Sequence, residues 1–254
     1  MYLDTPLLLA LAAVLGLVFG SFLNVCICRI PKKESIVTGS SHCTSCGAPI
    51  LARDLIPVLS YLVLRGRCRA CKARISIRYP LVELANALAW VAVCARYGFS
   101  FDSLIYCALV SMLLIVAMID IDTMIVPPQM TISILVLGVI GLFLIKGPTL
   151  IERGIGFLVG GLPFLLVALA SKGGMGGGDI KLMAVCGLLL GWKLILLSQL
   201  VAVVAGGIYA AILLLTKRKK KGAELALVPF LAGGMFVCIL FGNQMLQWYL
   251  SKFF

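Results

Sequence analysis

The sequence predicts an all-α, polytopic membrane protein of about eight transmembrane helices that carries a small cytoplasmic loop domain of zinc-knuckle type. Three observations predict it. Of 254 residues, 62% are hydrophobic and only 13% charged, with a mean hydropathy of +1.12, whereas a soluble domain carries about a quarter charged residues. The apolar residues fall into runs close to the ~20 residues that cross a hydrocarbon core. The polar residues concentrate in one insert, 29–80, which is rich in cations and holds two Cys-x-x-Cys pairs.

The first run is 7–28. Asp4 is the only charge ahead of it and the cations follow it, so it is expected to be an anchor with its N-terminus outside rather than a cleaved signal. Further runs cover 81–95, 103–119, 130–145, 155–170, 182–192, 194–216 and 225–250. The segment 182–192 is short for a span, but charge decides its place. Ten cations lie within 29–78, which puts that insert on the cytoplasmic side. If every run spans, seventeen of the 22 Lys and Arg lie inside, including the run 217–221; Arg96, Lys146, Arg153, Lys193 and Lys252 lie outside. Without 182–192 the run 217–221 would be moved outside. Eight spans with both termini outside is the consistent count. The net charge of +12 is then topological and lipid-facing, and no nucleic-acid motif accompanies it. No repeat period is evident. The expected domains are a first helix at 1–28, a four-Cys loop domain at 29–80 and a seven-helix membrane domain at 81–254.

The insert, about fifty residues long, is small for an unaided core. Cys43 and Cys46, then Cys68 and Cys71, have the spacing of a four-thiolate structural zinc site, in which the metal supplies folding energy. A cytoplasmic position argues against disulfides. Gly47 follows the first pair, where backbone must approach sulfur. His42, the one histidine, is expected to be a solvated loop residue. Its solitude excludes a two-histidine metalloprotease helix and argues against a Ser-His-Asp site. Cys26, Cys28, Cys94, Cys107, Cys186 and Cys238 fall in apolar runs and are expected to pack as small hydrophobes.

There are ten acids, and an acid within an apolar segment is expensive. Asp4, Asp102, Glu152, Glu34, Asp54 and Glu224 are adequately explained as solvated loop charges. Glu83, Asp120, Asp122 and Asp179 remain, all near cytoplasmic ends of spans. Asp120 and Asp122 close the third span; two residues apart on a helix they lie about 200° apart around its axis, so only one can face a given neighbour. Asp179 follows five glycines within the six residues 173–178, which permit close backbone approach and positive φ. The alternative for it is an N-cap on the sixth span. Two distant stretches thus bring carboxylates to one membrane face at similar depth. Paired carboxylates cannot both ionise cheaply: one takes a proton from water while the other, protonated, polarises a scissile carbonyl. That chemistry needs no histidine, metal or thiol nucleophile.

At these residues the chain resembles the type IV prepilin peptidases, bacterial members of the GxGD aspartyl membrane proteases. The match includes Gly20-Ser-Phe-Leu-Asn-Val25 followed by Arg29-Ile-Pro31, the four cysteines with Ile56-Pro-Val-Leu-Ser-Tyr61, and Arg65-Gly-Arg-Cys68. It continues through Arg78-Tyr-Pro-Leu-Val-Glu83, Asp120 seven residues before Pro127, and Gly176-Gly-Gly-Asp179 with Lys181 following. Pro128 and Leu55 depart from the family pattern. The resemblance implies Asp120 and Asp179 as catalytic residues, with Asp122, Gly176, Gly178, Lys181 and Glu83 as supporting candidates and Cys43, Cys46, Cys68 and Cys71 as metal ligands. It implies a bacterial cytoplasmic-membrane enzyme that cleaves prepilins or pseudopilins of pilus or type II secretion systems after a leader Gly. N-methylation from S-adenosylmethionine would follow in a bifunctional member, though no donor site is legible. For Glu83, helix N-terminal capping is the simple expectation. Two other functions use the same acids. A proton or cation transporter is disfavoured by acids at span ends and by the lack of inverted halves; a GxGD protease of unrelated helices is disfavoured by the cysteine loop. The oligomeric state is not set by the sequence.

Overall fold

A computed structural model of the chain describes residues 5–171, 175–216 and 225–253. Asp4, Lys172, Gly173, Gly174, the run 217–221 and Glu224 lie outside the described residues. Those residues form helices joined by loops, with two isolated β-bridges and no strand. Five helices are long and apolar enough to cross a membrane. The chain divides into two compact units, Met1–Phe99 and Ser100–Phe254.

The first unit holds α1 (Thr5–Arg29), a 3-10 turn (Ala52–Leu55), the short α2 (Leu59–Val63) and α3 (Arg78–Tyr97). Helix α3 packs along α1. The contact rests on small residues, as helix pairs in lipid require. A β-carbon on Gly16 would lie 2.7 Å from Cα of Ala87, and one on Gly20 2.7 Å from Cα of Glu83. The fully buried Asn86 donates to the Gly16 carbonyl at 2.8 Å, and Phe19 stacks on Trp90 at 5.0 Å. Asn24, four residues after Gly20, donates to the Tyr79 carbonyl at 3.1 Å. The motif around Gly20 is thus a seam that fixes the start of α3.

The second unit holds α4 (Phe101–Thr123), α5 (Pro128–Leu144), α6 (Leu150–Ala170), α7 (Gly177–Leu215) and α8 (Val228–Phe253). Capping boxes at Ser100/Ser103 and Thr149/Glu152 start α4 and α6. Met124, left-handed at φ 55°, ends α4. Pro128 stands at the first turn of α5, where its fixed φ suits helix initiation, which gives that departure a local reason.

Helix α7 is 39 residues long but is interrupted at Gly191, at φ 77° and ψ 167°. The interruption is a reversal. A β-carbon on Gly160 of α6 would lie 2.3 Å from the Met183 carbonyl, while Gln199 donates to the Gly160 carbonyl at 2.8 Å. Met183 and Gln199 are sixteen residues apart and would be separated by about 24 Å in a straight helix. Only a hairpin lets one α6 residue touch both. The short apolar run at 182–192 and the longer run after it are therefore two antiparallel limbs, and with α1, α3, α4, α5, α6 and α8 they make eight helical segments at the expected positions. Gly156 and Gly187 close the seam between α6 and α7, since a β-carbon on Gly187 would fall 2.0 Å from the Gly156 carbonyl. Arg153, expected on the outer side, is 2% exposed. Its guanidinium donates to the carbonyls of Pro148, Leu189 and Ile145 and so fastens the turn at Gly191.

Candidate active site and metal centre

In the first unit the thiols of Cys43, Cys46, Cys68 and Cys71 all lie within 4.8 Å of one another, and Cys43 and Cys71 approach to 3.9 Å. A tetrahedral zinc with 2.3 Å Zn–S bonds requires sulfurs about 3.8 Å apart, so the cluster could hold a metal ion of that kind. The two knuckles are built alike, 25 residues apart. The Cys43 amide donates to Ala48 and the Cys68 amide to Ala73; Gly47 donates to Cys43 and Lys72 to Cys68; Ile50 donates to Ser41 and Ile75 to Gly66. Bridges His42–Pro49 and Arg67–Arg74 match as well. This correspondence is a local repeat that the sequence did not reveal. Both knuckles need a left-handed residue after the second cysteine, supplied by Gly47 at φ 70° and by Lys72 at φ 62°. Backbone amides of Ser45 and Cys46 bring the Cys43 thiol down to about 6, while the neighbouring thiols push Cys71 up to about 11, so the clustered thiols share their ionisation unequally.

Asp54 is not simply solvated: Arg69 of the second knuckle grips its carboxylate with two hydrogen bonds, at 2.8 and 2.6 Å, and holds it below the usual carboxylate range. Glu83 is buried but does not cap its helix. Helix α3 begins at Arg78 and has no side-chain cap, so Glu83 lies past its first turn. It accepts the Val58 amide at 2.8 Å and steadies a β-branched residue held at φ 60°. His42 is exposed, its Nδ1 3.4 Å from the Ser40 carbonyl. Cys26, Cys107, Cys186 and Cys238 are buried; Cys94 is half-buried. Cys28 is exposed, its sulfur 3.9 Å from the Tyr79 hydroxyl, so it is not a packing residue.

In the second unit Asp120, in the last turn of α4, is 5% exposed. Its Oδ2 accepts the Val228 amide at 3.0 Å, and the Leu227 amide also bonds to it. Asp122 points to the exposed side, as the 200° separation requires. Asp179 stands in the first turn of α7, half-buried and within electrostatic range of Asp120. The helix-capping alternative is not realised at Gly176, the N-cap residue, which receives no side-chain cap. Gly178 explains how the two acids meet. A β-carbon there would lie 2.7 Å from Cβ of Val126, in the link between α4 and α5, so the start of α7 rests on the chain just beyond Asp120. A β-carbon on Gly176 would lie 3.4 Å from Oδ2 of Asp179, while one on Gly177 would meet nothing within 4 Å. None of the glycines at 176–178 adopts positive φ, and of the three only Gly178 serves close approach. Lys181 is exposed. Val126 and Val228 escaped sequence reasoning, since they act through a methyl contact and a backbone amide that leave no chemical signature.

The chain matches two family profiles, described as the Bacterial Peptidase A24 N-terminal domain over residues 14–97 and the Type IV leader peptidase family over residues 107–211. A relative from Bacillus subtilis named prepilin leader peptidase/N-methyltransferase is 33% identical, covering 96% of this chain and 98% of its own length. Relatives of the same name from Pseudomonas putida and Pseudomonas aeruginosa are 35% and 34% identical, over 93% and 97% of this chain and 91% and 95% of their own. No solved structure matches. Likeness over nearly the full length of both partners places this multi-pass membrane protein: it belongs to the type IV prepilin leader peptidase family.

Proposed function

We propose that the chain is a membrane aspartyl endopeptidase that removes the leader of type IV prepilins or pseudopilins at the cytoplasmic face of the bacterial inner membrane, and then methylates the new N-terminus. The observation that carries the cleavage is the pairing of Asp120 and Asp179 at the ends of α4 and α7, with Gly178 against Val126 between them. One carboxylate removes a proton from water as the oxygen attacks the scissile carbonyl, while the other donates its proton to the developing oxyanion; on collapse the first passes the water's proton to the leaving amine and the second recovers a proton from the tetrahedral hydroxyl. The Val228 amide keeps the Asp120 carboxyl in place through this exchange. Asp122 and Lys181, at the exposed rim, are assigned to positioning the substrate and not to proton transfer.

Zinc is the metal proposed for Cys43, Cys46, Cys68 and Cys71, in a structural role, because four thiolates leave no open coordination position. The proposed donor for methylation is S-adenosylmethionine, which when bound supplies an electrophilic methyl group. Both termini and residues 146–153 are assigned to the outer side, and the loop 29–80 to the cytoplasm. Mass spectrometry of a candidate pilin N-terminus, co-expressed with wild-type chain, Asp120→Asn or Asp179→Asn, tests the reading. Leader loss and a methyl increment with wild type only are expected; cleavage by both variants overturns it.

A further inference from the structure

The stretch 51–67 carries an apolar stripe that the fold leaves uncovered. Leu59, Leu62 and Val63 of α2 are 60%, 62% and 77% exposed. They stand at i, i+3 and i+4 and so share one face of the helix. Leu55 and Ile56, also exposed, extend that side one turn upstream. Tyr61 turns the other way: it is half-buried, and its hydroxyl donates to the Ile75 carbonyl at 3.5 Å. Helix α2 has no buried residue, and so short a helix has little stability of its own in water. A contiguous apolar surface of this kind marks a contact with a membrane or a protein.

Two contacts set the stripe beside the membrane helices. Leu55 and Pro57 share a notch with Val18, Ser21, Phe22 and Val25 on the flank of α1. Val18 and Phe22 are exposed residues of a helix long and apolar enough to span. Phe22 lies seven residues before Arg29, the end of α1, which is about 10 Å of rise. The Val58 amide donates to Glu83 at 2.8 Å, five residues into α3, about 7 Å from its start. The stripe therefore begins below the ends of both helices, at the depth where interfacial helices seat, about 5–10 Å into the boundary of headgroups and acyl chains. The charges around it have one sign. Arg53 precedes it and Arg65 and Arg67 follow, all three exposed. The side chains of Arg65 and Arg67 make no hydrogen bond or ion pair among the described residues. The one acid within 51–67, Asp54, is gripped by Arg69.

We propose that residues 55–63 form an interfacial anchor that enters the cytoplasmic leaflet of the bilayer the chain spans, with Arg53, Arg65 and Arg67 on anionic phospholipid headgroups. Leu55, Ile56, Leu59, Leu62 and Val63 leave water for the acyl boundary, and the guanidiniums pair with phosphates. A lipid surface fits better than a second copy of the chain, because a two-fold pairing through this face would set the same three cations against each other. Two ties fasten the anchor to the folded loop, Val58 to Glu83 and Asp54 to Arg69 of the second knuckle. The four-cysteine loop is thereby held at a fixed height on the leaflet. The choice of leaflet rests on the sidedness proposed above.

The test places benzoylphenylalanine at Val63 of the full, zinc-loaded chain in nanodiscs of phosphatidylethanolamine with a minority of phosphatidylglycerol. Ultraviolet irradiation is expected to add the mass of one phospholipid to the peptide bearing residue 63. The same group at Tyr61, on the inward face, should give about fivefold fewer lipid adducts. Equal adducts at the two positions overturn the anchor, as does a Val63 crosslink to peptides from 100–254, to a second chain or to nothing. Adducts at Val63 should be enriched in phosphatidylglycerol about twofold or more over its share of the bilayer. Arg65→Gln with Arg67→Gln should return them to that share with zinc retained. No enrichment in the wild type overturns the pairing of the cations with headgroups. An active alkaline phosphatase fused after Thr44 would instead refute the sidedness on which the leaflet rests, with the lipid adduct at Val63 still expected.

Discussion

The backbone amide of Val228 donates to Oδ2 of Asp120 at 3.0 Å, tying the start of α8 to the end of α4 across 108 residues of sequence. A buried carboxylate is costly unless its oxygens are met by donors, so this bond holds the acid in one orientation. An asparagine at 120 can keep its carbonyl oxygen in the same place. Asp120→Asn is therefore expected to insert and fold normally while leader cleavage falls by about 10²–10⁴-fold, the usual worth of a positioned acid or base. Asp179→Asn should match it. Asp122→Asn, on the opposite face of the helix, should retain turnover and raise KM at most. Gel-shift kinetics of a purified prepilin check all three.

Gly178 sets the approach of the two acids. Gly178→Ala places a methyl group 2.7 Å from Cβ of Val126, an overpacking worth about 1–3 kcal/mol. Cleavage should drop sharply, and Val126→Ala in the same chain should restore part of it. Gly177→Ala, where nothing lies within 4 Å, is the matched control. A double-mutant cycle on cleavage rates measures the coupling.

The seam between α6 and α7 predicts a contrast in stability. Gly187→Ala drives a β-carbon into the Gly156 carbonyl, which as backbone cannot swing aside; a loss of about 3 kcal/mol is expected. Gly154→Ala and Gly207→Ala meet nothing within 4 Å, and each should stabilise by up to about 1 kcal/mol through helix propensity. Thermal or denaturant unfolding in mild detergent distinguishes the two classes.

For the metal centre, one metal per chain is expected by elemental analysis, and Cys46→Ser or Cys71→Ser should abolish its retention. Because the Arg69 grip holds Asp54 below the ordinary carboxylate range, the pair's contribution is fully present at neutral pH and is lost as pH falls through the folded value of Asp54. Asp54→Ala should therefore speed metal loss to a chelator at pH 7 by no more than about fivefold, the scale of an exposed ion pair. The difference from wild type should shrink as acid protonates Asp54.

The reversal at Gly191 predicts the sidedness of the chain. Alkaline phosphatase fused after Lys146 should be active, and fused after Thr216 inactive. A straight α7 would make the second fusion active.

Much of this was legible in the sequence, for reasons that differ by region. The helices showed because bilayer length imposes runs of apolar residues, although several runs fell short of the ideal and 182–192 was placed by charge. The four thiols showed because metal coordination constrains spacing. Asp120 and Asp179 showed because acids are rare in apolar chains. The contacts made by backbone did not show. Nothing in the types of Gly16 and Gly20 says which carbonyl or α-carbon they meet, and the Val228 amide is chemically like any other. The 25-residue correspondence of the knuckles escaped because it is carried by hydrogen bonds and by left-handed geometry, which Gly47 and Lys72 adopt with unlike side chains. The burial of Arg153 did not show, because charge counting assigns a cation to a side of the membrane and not to the three carbonyls that receive its guanidinium.

The first limb of α7 has a further consequence. From Gly177 to Leu190 it is fourteen residues long, about 21 Å of rise, against a hydrocarbon slab of about 30 Å. Some 9 Å of the slab goes unmatched at its ends, to be met by local thinning or by sinking of the limb. In either case Asp179, in its proposed catalytic role, would meet a substrate beneath the level of the surrounding lipid surface. A substrate anchored by its own apolar helix can therefore present its bond while remaining in the membrane, and proteolysis becomes a lateral encounter in two dimensions instead of an extraction into water.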